Sequence, residues 1–439
     1  MMGKQLHTII SREIIKPSNP TPSNLNTYNL SEIDIIAGKA YLPLVFFYPN
    51  NLNCSLLTAQ EKARVLKKSL SQTLTRYYPF AGRLSTHLAP YIDCNDEGVV
   101  FLEATIDSEL DAFKLISEHD ENHLDASFAD DMVCYNSPHN VSLVGVQLNH
   151  FVCGGVALAV SMSHIIGDSC TLASFMTHWA SVAADYGLVD HKSVLLPLNP
   201  FFIHSPRSNS ILPDSSAVIN QDLISNYVMR TFVFPNSKLS DLKNKVVAAG
   251  SINNPTRVEV LTSLLHKTAL LAAATNNSGC FKPSYLFIMV DIRNKLVEKL
   301  PQNTAGNFAS FMMVPTRDKS ETSLSMLVGE IKKHKLQMEG VQSVKHAAEN
   351  LISSMSKLGN EALYACTSSC GFPFNKVDFG WGKPVATAFA LRSAGKNGFV
   401  LMDTPEDDGI QAQVILEKQD MEVFENDMEM LSFCQMNNV

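Results

Sequence analysis

A mixed α/β chain in two similar halves is what this sequence predicts, and three observations predict it. Apolar and polar residues alternate over 42–48, 99–105 and 141–149, the period of strands, while 57–77 carries apolar residues at helical spacing with charges on the opposite face. Between 195 and 222 that periodicity fades, with Pro197, Pro200, Pro206 and Pro213 set among serines, which marks a linker. Beyond it the same alphabet resumes. Strands are expected at 227–234, 285–290, 307–314, 386–391, 399–402 and 410–416. Helices are expected from Lys238, from Arg257, over 322–335 and 344–358, and from Met421 to the end. The division this implies is 1–195, a linker or crossover at 196–222, and 223–439.

Length and composition bound the function. The chain has 439 residues and is 45% hydrophobic, enough for about two to three domains with sizeable cores. A net charge of −8, without a run of Lys and Arg, argues against nucleic acid as a partner. Nine cysteines, none in a Cys-x-x-Cys pair, suit reduced structural thiols rather than a disulfide framework or a zinc site, so no metal is expected. Charges arrive too early in Met-Met-Gly-Lys-Gln-Leu-His for a secretory leader, which leaves the Asn-x-Ser triplets at Asn29, Asn53, Asn140 and Asn276 without consequence. The longest apolar stretch, 151–160, is too short to cross a bilayer, which needs roughly 20 residues. The expectation is a cytosolic protein with no membrane partner.

The chemistry starts at His164 and Asp168, in Ser-His-Ile-Ile-Gly-Asp, the only His-x-x-x-Asp of the chain. It stands where an apolar strand runs out and a mostly apolar helix, 170–179, begins. A rigid scaffold presents chemistry on such a loop, and imidazole is the side chain suited to take a proton near neutral pH. Spacing alone is weak, since roughly half of one such match would arise by chance. A second uncommon string, Asp378-Phe379-Gly380-Trp381-Gly382, lies far downstream; its glycines and aromatics suit a tight turn packed under large rings, and Trp381 reads equally as ordinary core.

The two strings together resemble the signature pair of the BAHD acyltransferases, plant enzymes that move an acyl group from coenzyme A to an alcohol or amine. Leu30-Ser31-Glu32-Ile33-Asp34 is similar to the family's opening segment, Tyr78-Pro79-Phe80-Ala81-Gly82-Arg83 to its early turn, and Pro255-Thr256-Arg257-Val258-Glu259 to its mid-chain helix start. Within the family the chain is most similar to the branch containing vinorine synthase and deacetylvindoline acetyltransferase, which mostly acylates specialised metabolites.

The resemblance implies two chloramphenicol-acetyltransferase-like domains, the first carrying His164 and the second the Asp378–Gly382 string, with the base in a tunnel between them. It implies His164 as general base, and Asp168 as a structural residue paired with Arg293 rather than the third member of a triad. Asp378, Gly380, Trp381 and Gly382 become supports of the site. Asn307 is expected as an oxyanion donor, and Thr367, Ser368 and Ser369 as contacts of the acyl donor. No permanently bound cofactor is implied: acetyl-CoA or another acyl-CoA is a co-substrate, the other being a small-molecule alcohol such as an indole alkaloid or terpenoid, and the protein is expected to be a monomer.

Several positions depart from the family's pattern. Ser169 stands where Gly usually follows the motif aspartate, Asn375 where Tyr is common, and Gly371 where relatives often carry Arg or Lys. Thr304-Ala305-Gly306-Asn307-Phe308 replaces the Tyr-Phe-Gly-Asn-Cys string of flavonoid malonyltransferases, which favours a small neutral acyl group such as acetyl. Two other classes remain: a repurposed tunnel acting as a cyclase or lyase, and a non-catalytic binding protein, against which the intact His164 and Asp168 speak. Transfer of a different acyl group such as malonyl is the alternative within the leading class.

Overall fold

The structure is a computed structural model, and it describes residues 7–38, 40–50, 57–85, 90–119, 124, 127–128, 141–186, 199–203, 226–250, 252–356, 358–390 and 397–435. Of the positions singled out above, Asn53, Asn140, Pro197, Pro206, Pro213 and the last residue of the expected strand 386–391 lie outside the described residues, as does most of the expected linker.

The chain forms two compact units, each discontinuous in sequence. The first comprises residues 1–218, 300–308 and 372–391, the second 219–299, 309–371 and 392–439. This differs from a single division at 196–222. Residues 300–308 and 372–391, the latter with the Asp378–Gly382 string, belong to the first unit rather than to the later half.

In the first unit a six-stranded sheet runs in the order His7–Ile15, Val99–Ile106, Val144–Phe151, Val156–Ser163, Tyr41–Tyr48, Ala386–Phe389. Only the pair Val99–Ile106 and Val144–Phe151 is parallel; the other neighbours are antiparallel. All eight residues of Val156–Ser163 are buried. A strand covered on both faces reads as a continuous apolar run rather than an alternation, which is why 151–160 stands out in the sequence. The edge strand His7–Ile15 is absent from the sequence reading, because most of its residues are exposed and no apolar face is set against a polar one.

The helix Ala59–Arg76 starts on a capping box: Thr58 Oγ1 accepts the Glu61 N–H, and Glu61 Oε2 accepts the Thr58 N–H. Its buried face includes Ala63, Leu66, Leu70 and Leu74, the spacing of one helical stripe. There it meets Ser169–Ala184, whose Trp179 donates Nε1–H to Leu66 O at 3.2 Å and to Ser69 Oγ at 3.0 Å. Replacing such a buried indole by Ala costs about 3–5 kcal/mol. Phe201–Phe202, inside the expected linker, pairs in parallel with Thr304–Ala305, so this part of the linker is an ordered ladder.

The second unit has its own six-stranded mixed sheet, ordered Tyr227–Pro235, Gly409–Glu417, Gly398–Asp403, Ala362–Ser368, Ser284–Asp291, Ala309–Thr316. The 20-residue helix Arg257–Asn276, capped by Thr256 and Glu259, buries Leu261, Leu264 and Leu265 in a core with Phe399, Leu401 and Tyr364. The expected strand 307–314 begins only at Ala309, since the polar groups of Asn307 and Phe308 bond elsewhere. The closing helix is two helices, Lys418–Phe424 and Met428–Phe433, the second restarted by Asp427, whose side chain accepts the Met430 N–H. Among the described residues no helix is long and apolar enough to cross a membrane.

Candidate active site

The strand Val156–Ser163 ends in a short 3-10 turn, His164–Ile166, and the chain then enters the helix Ser169–Ala184. His164 is half-buried and its N–H donates to Ala40 O at 2.7 Å, which fixes the backbone where the ring leaves the sheet. Gly167 follows because space is short: a Cβ there would lie 2.6 Å from Thr171 Cγ2.

Asp168 is the N-cap of the helix. Its Oδ1 accepts the Thr171 N–H at 3.0 Å and its Oδ2 accepts the Phe308 N–H at 3.0 Å. Thr171 Oγ1 donates to Gly306 O at 2.8 Å and accepts the Gly306 N–H at 3.0 Å. The strap 306–308 is thus clamped to the start of the helix, and the clamp sets Asn307 beside the imidazole.

Asn307 Oδ1 lies 3.0 Å from His164 Nδ1. The two amide hydrogens of Asn307 go to Asp34 Oδ1 at 2.8 Å and to the His164 carbonyl oxygen at 2.7 Å. Both those partners are acceptors only, so the amide orientation is determined by chemistry: its oxygen faces the ring, and Nδ1–H is the donor. The imidazole then carries its lone pair on Nε2, which has no hydrogen bond among the described residues. With both amide N–H bonds committed, Asn307 has none to offer the oxyanion expected of it, and its oxygen sets which nitrogen of the His164 ring carries the proton.

Asp34 completes this chain. It is 2% exposed, and its Oδ2 accepts the Ser31 N–H and Oγ–H, each at 2.8 Å. Burial pushes its carboxyl above the ordinary value, against the lowering effect of the bonds from Asn307 and Ser31. In the sequence Asp34 stood only as part of an opening segment. The spacing Ser31-x-x-Asp34 signals a helix cap and carries no trace of Asn307, which is 273 positions away.

Within the first unit, the Asp378–Gly382 string lies apart from this cluster. In the turn Asp378–Gly382, Asp378 Oδ1 accepts the N–H groups of Gly380 and Gly382, at 2.8 and 3.0 Å. Both glycines have positive φ, 101° and 104°, which a side chain would disfavour. Trp381 stacks on Phe379 and meets Tyr48 edge-on; Phe379 meets Trp179 edge-on at 5.1 Å. The turn therefore packs on a strand and a helix of the first unit, and its bonds touch none of His164, Asn307 or Asp34.

Arg293 is in the second unit, just past the strand Ser284–Asp291, where its N–H and Nη1 both donate to Asp291 Oδ1. Thr367, Ser368 and Ser369 are at the end of Ala362–Ser368 in the same unit. Thr367 and Ser368 are half-exposed, and the Ser369 hydroxyl is buried without a partner among the described residues. Sequence reasoning missed what stands beside them: Asp403 accepts the Gly371 N–H at 2.5 Å and Arg257 Nη2 at 3.2 Å, which brings a guanidinium to the end of this segment.

Comparison with known proteins identifies the family of the chain. The model of the Transferase family matches residues 6–431. The chain is 37% identical to akuammiline synthase 1 of Alstonia scholaris over 97% of both proteins, and 33% identical to deacetylvindoline O-acetyltransferase of Catharanthus roseus, again over 97% of both. It is 34% identical to 17,18-epoxy-17-hydroxycur-19-ene N-malonyltransferase of Strychnos nux-vomica, over 98% of this chain and 90% of that protein. Among solved structures, vinorine synthase superposes with a TM-score of 0.81 at 26% identity, over 98% of each chain.

Proposed function

The chain belongs to the Transferase family, the BAHD acyltransferases, and from that premise we propose that it transfers an acetyl group from acetyl-CoA to a hydroxyl of a plant specialised metabolite, an indole alkaloid or a terpenoid. The observation that carries the reading is the bond from His164 Nδ1–H to Asn307 Oδ1, which leaves Nε2 free to accept a proton. In this reading Nε2 takes the proton of the acceptor hydroxyl as its oxygen attacks the thioester carbonyl. The C–S bond breaks, and the departing thiolate takes the same proton back from the imidazolium, giving an ester and free coenzyme A. No acyl-enzyme forms. The protein acts as a cytosolic monomer.

The donor is taken to meet Thr367, Ser368 and Ser369, with the Arg257 guanidinium as the cation for its phosphates. Arg293 keeps the supporting role that the family resemblance assigns to it, tested by Arg293→Ala. The Thr304–Phe308 sequence supports acetyl. Malonyl is the second reading, favoured by the relative named an N-malonyltransferase. Cyclisation or elimination without a donor is a third.

The test is incubation with several acyl thioesters and a plant metabolite extract, followed by mass spectrometry of products and measurement of released thiol. An acetyl increment with stoichiometric thiol supports the proposal. A malonyl increment selects the second reading, and an isomerised product formed without thioester the third.

A further inference from the structure

We propose that Asp34 is a positioning residue for the base: its carboxylate holds the Asn307 amide in the orientation that gives His164 its Nδ1–H tautomer, and its charge, relayed through that amide, stabilises the imidazolium formed during transfer. The inference rests on the reading of His164 as the base. Rotated by half a turn, Asn307 would set its oxygen against Asp34 Oδ1 and the His164 carbonyl, at the 2.8 and 2.7 Å where its hydrogens now bond, and would present N–H to the ring. Two oxygen–oxygen contacts at that distance are repulsive, so both acceptors reject the rotated state. Of the two, only Asp34 carries a full charge, and charge-assisted bonds are roughly twice as strong as neutral ones.

A helix cap alone does not explain Asp34. A cap needs one oxygen, and here Oδ2 serves Ser31 while Oδ1 is given wholly to Asn307, through its backbone N–H at 3.3 Å and its side-chain N–H at 2.8 Å. The helix concerned, Glu32–Ala37, has six residues and gains little from a fully buried carboxylate. Among the described residues no cation pairs with Asp34. A buried anion held only by dipoles retains its field, and the nearest group whose charge changes in the proposed reaction is the His164 ring, reached through one amide.

The experiment compares Asp34→Asn, Asn307→Ala and the double variant. Asp34→Asn is expected to lower kcat on the order of 10²-fold with both KM values within about twofold, because the tautomer and not the binding surface is altered. Starting from Asn307→Ala, adding Asp34→Asn is expected to change kcat by less than about threefold, since the relay is already broken. Nitrogen-15 spectra of labelled histidine read the tautomer directly: His164 is Nδ1–H in the parent and shifts toward Nε2–H in Asp34→Asn. Should that variant not fold, Asp34→Glu replaces it, with the displaced carboxylate expected to shift the tautomer population as well. An unchanged tautomer, or effects of the two substitutions that multiply, overturns the proposal. The spectrum reads the effect of Asp34 whether or not His164 is the base, so a failure of that earlier reading shows itself separately, as an active His164→Ala enzyme.

Discussion

His164 in the first unit and His266 in the second carry the same side chain into different surroundings, and the difference shows what makes an imidazole useful. His164 stands at a strand end, half-buried, with Nδ1 held by an amide that is itself held by two acceptors. His266 lies inside the helix Arg257–Asn276, 1% exposed and edge-on to Tyr364 at 5.0 Å. Its Nε2 is 3.5 Å from Thr316 Oγ1, and its Nδ1 is buried without a partner among the described residues. Burial pushes its pKa down to about 3. One ring is oriented and open on one nitrogen; the other is apolar filling that happens to titrate.

The sharpest way to break this contrast is to remove each ring. His164→Ala is expected to lower kcat by about two to four orders of magnitude, measured by thiol release, while His266→Leu leaves kcat within about threefold. Equal losses would erase the distinction. Next in size is Trp381→Ala, which removes the ring stacked on Phe379 and is expected to destabilise the first unit by about 3–5 kcal/mol in denaturant titration.

Asp168→Asn presents an N–H to either Thr171 or Phe308, each of which already donates. The buried mismatch is expected to cost about 1–3 kcal/mol and to loosen the strap that carries Asn307, so kcat should fall more than either KM rises. Loss of stability with an unchanged kcat would show that the clamp does not serve the ring.

The smallest effect is a pH dependence. Unfolded His266 binds a proton below about pH 6.5, whereas the folded residue does so only near pH 3. In that window the unfolded state holds more protons, so the stabilisation is complete above about pH 6.5 and declines at about 1.4 kcal/mol per pH unit as pH falls. His150 and His178, also lowered by burial, act in the same direction in the first unit. Protection factors along Arg257–Asn276, corrected for the intrinsic pH dependence of amide exchange, should therefore fall from about pH 6.5 to about pH 5, and His266→Leu should flatten that slope.

Local physics made much of this legible in the sequence. Strands and helices with one better-buried face, such as Val99–Ile106 and Ala59–Arg76, announce themselves by period, and His164 by its place between a strand and a helix. What stayed hidden depends on distant residues. Nothing near Asn307 says that its two amide hydrogens are taken, and nothing near Asp34 says what shares its carboxylate. Nor does the run 386–389 declare that it joins a sheet begun at residue 7.

That last strand sets a timetable for the newborn protein. Ala386 pairs with Phe47, about 340 residues earlier, so at about 5–20 residues per second a ribosome needs roughly 20–70 s to deliver the partner of an already emerged apolar edge. Throughout that interval Leu44 to Phe47 offer open backbone groups to any passing chain. Translation stopped before residue 386 leaves this edge unsealed, which makes prematurely terminated products sticky chaperone clients rather than shortened enzymes.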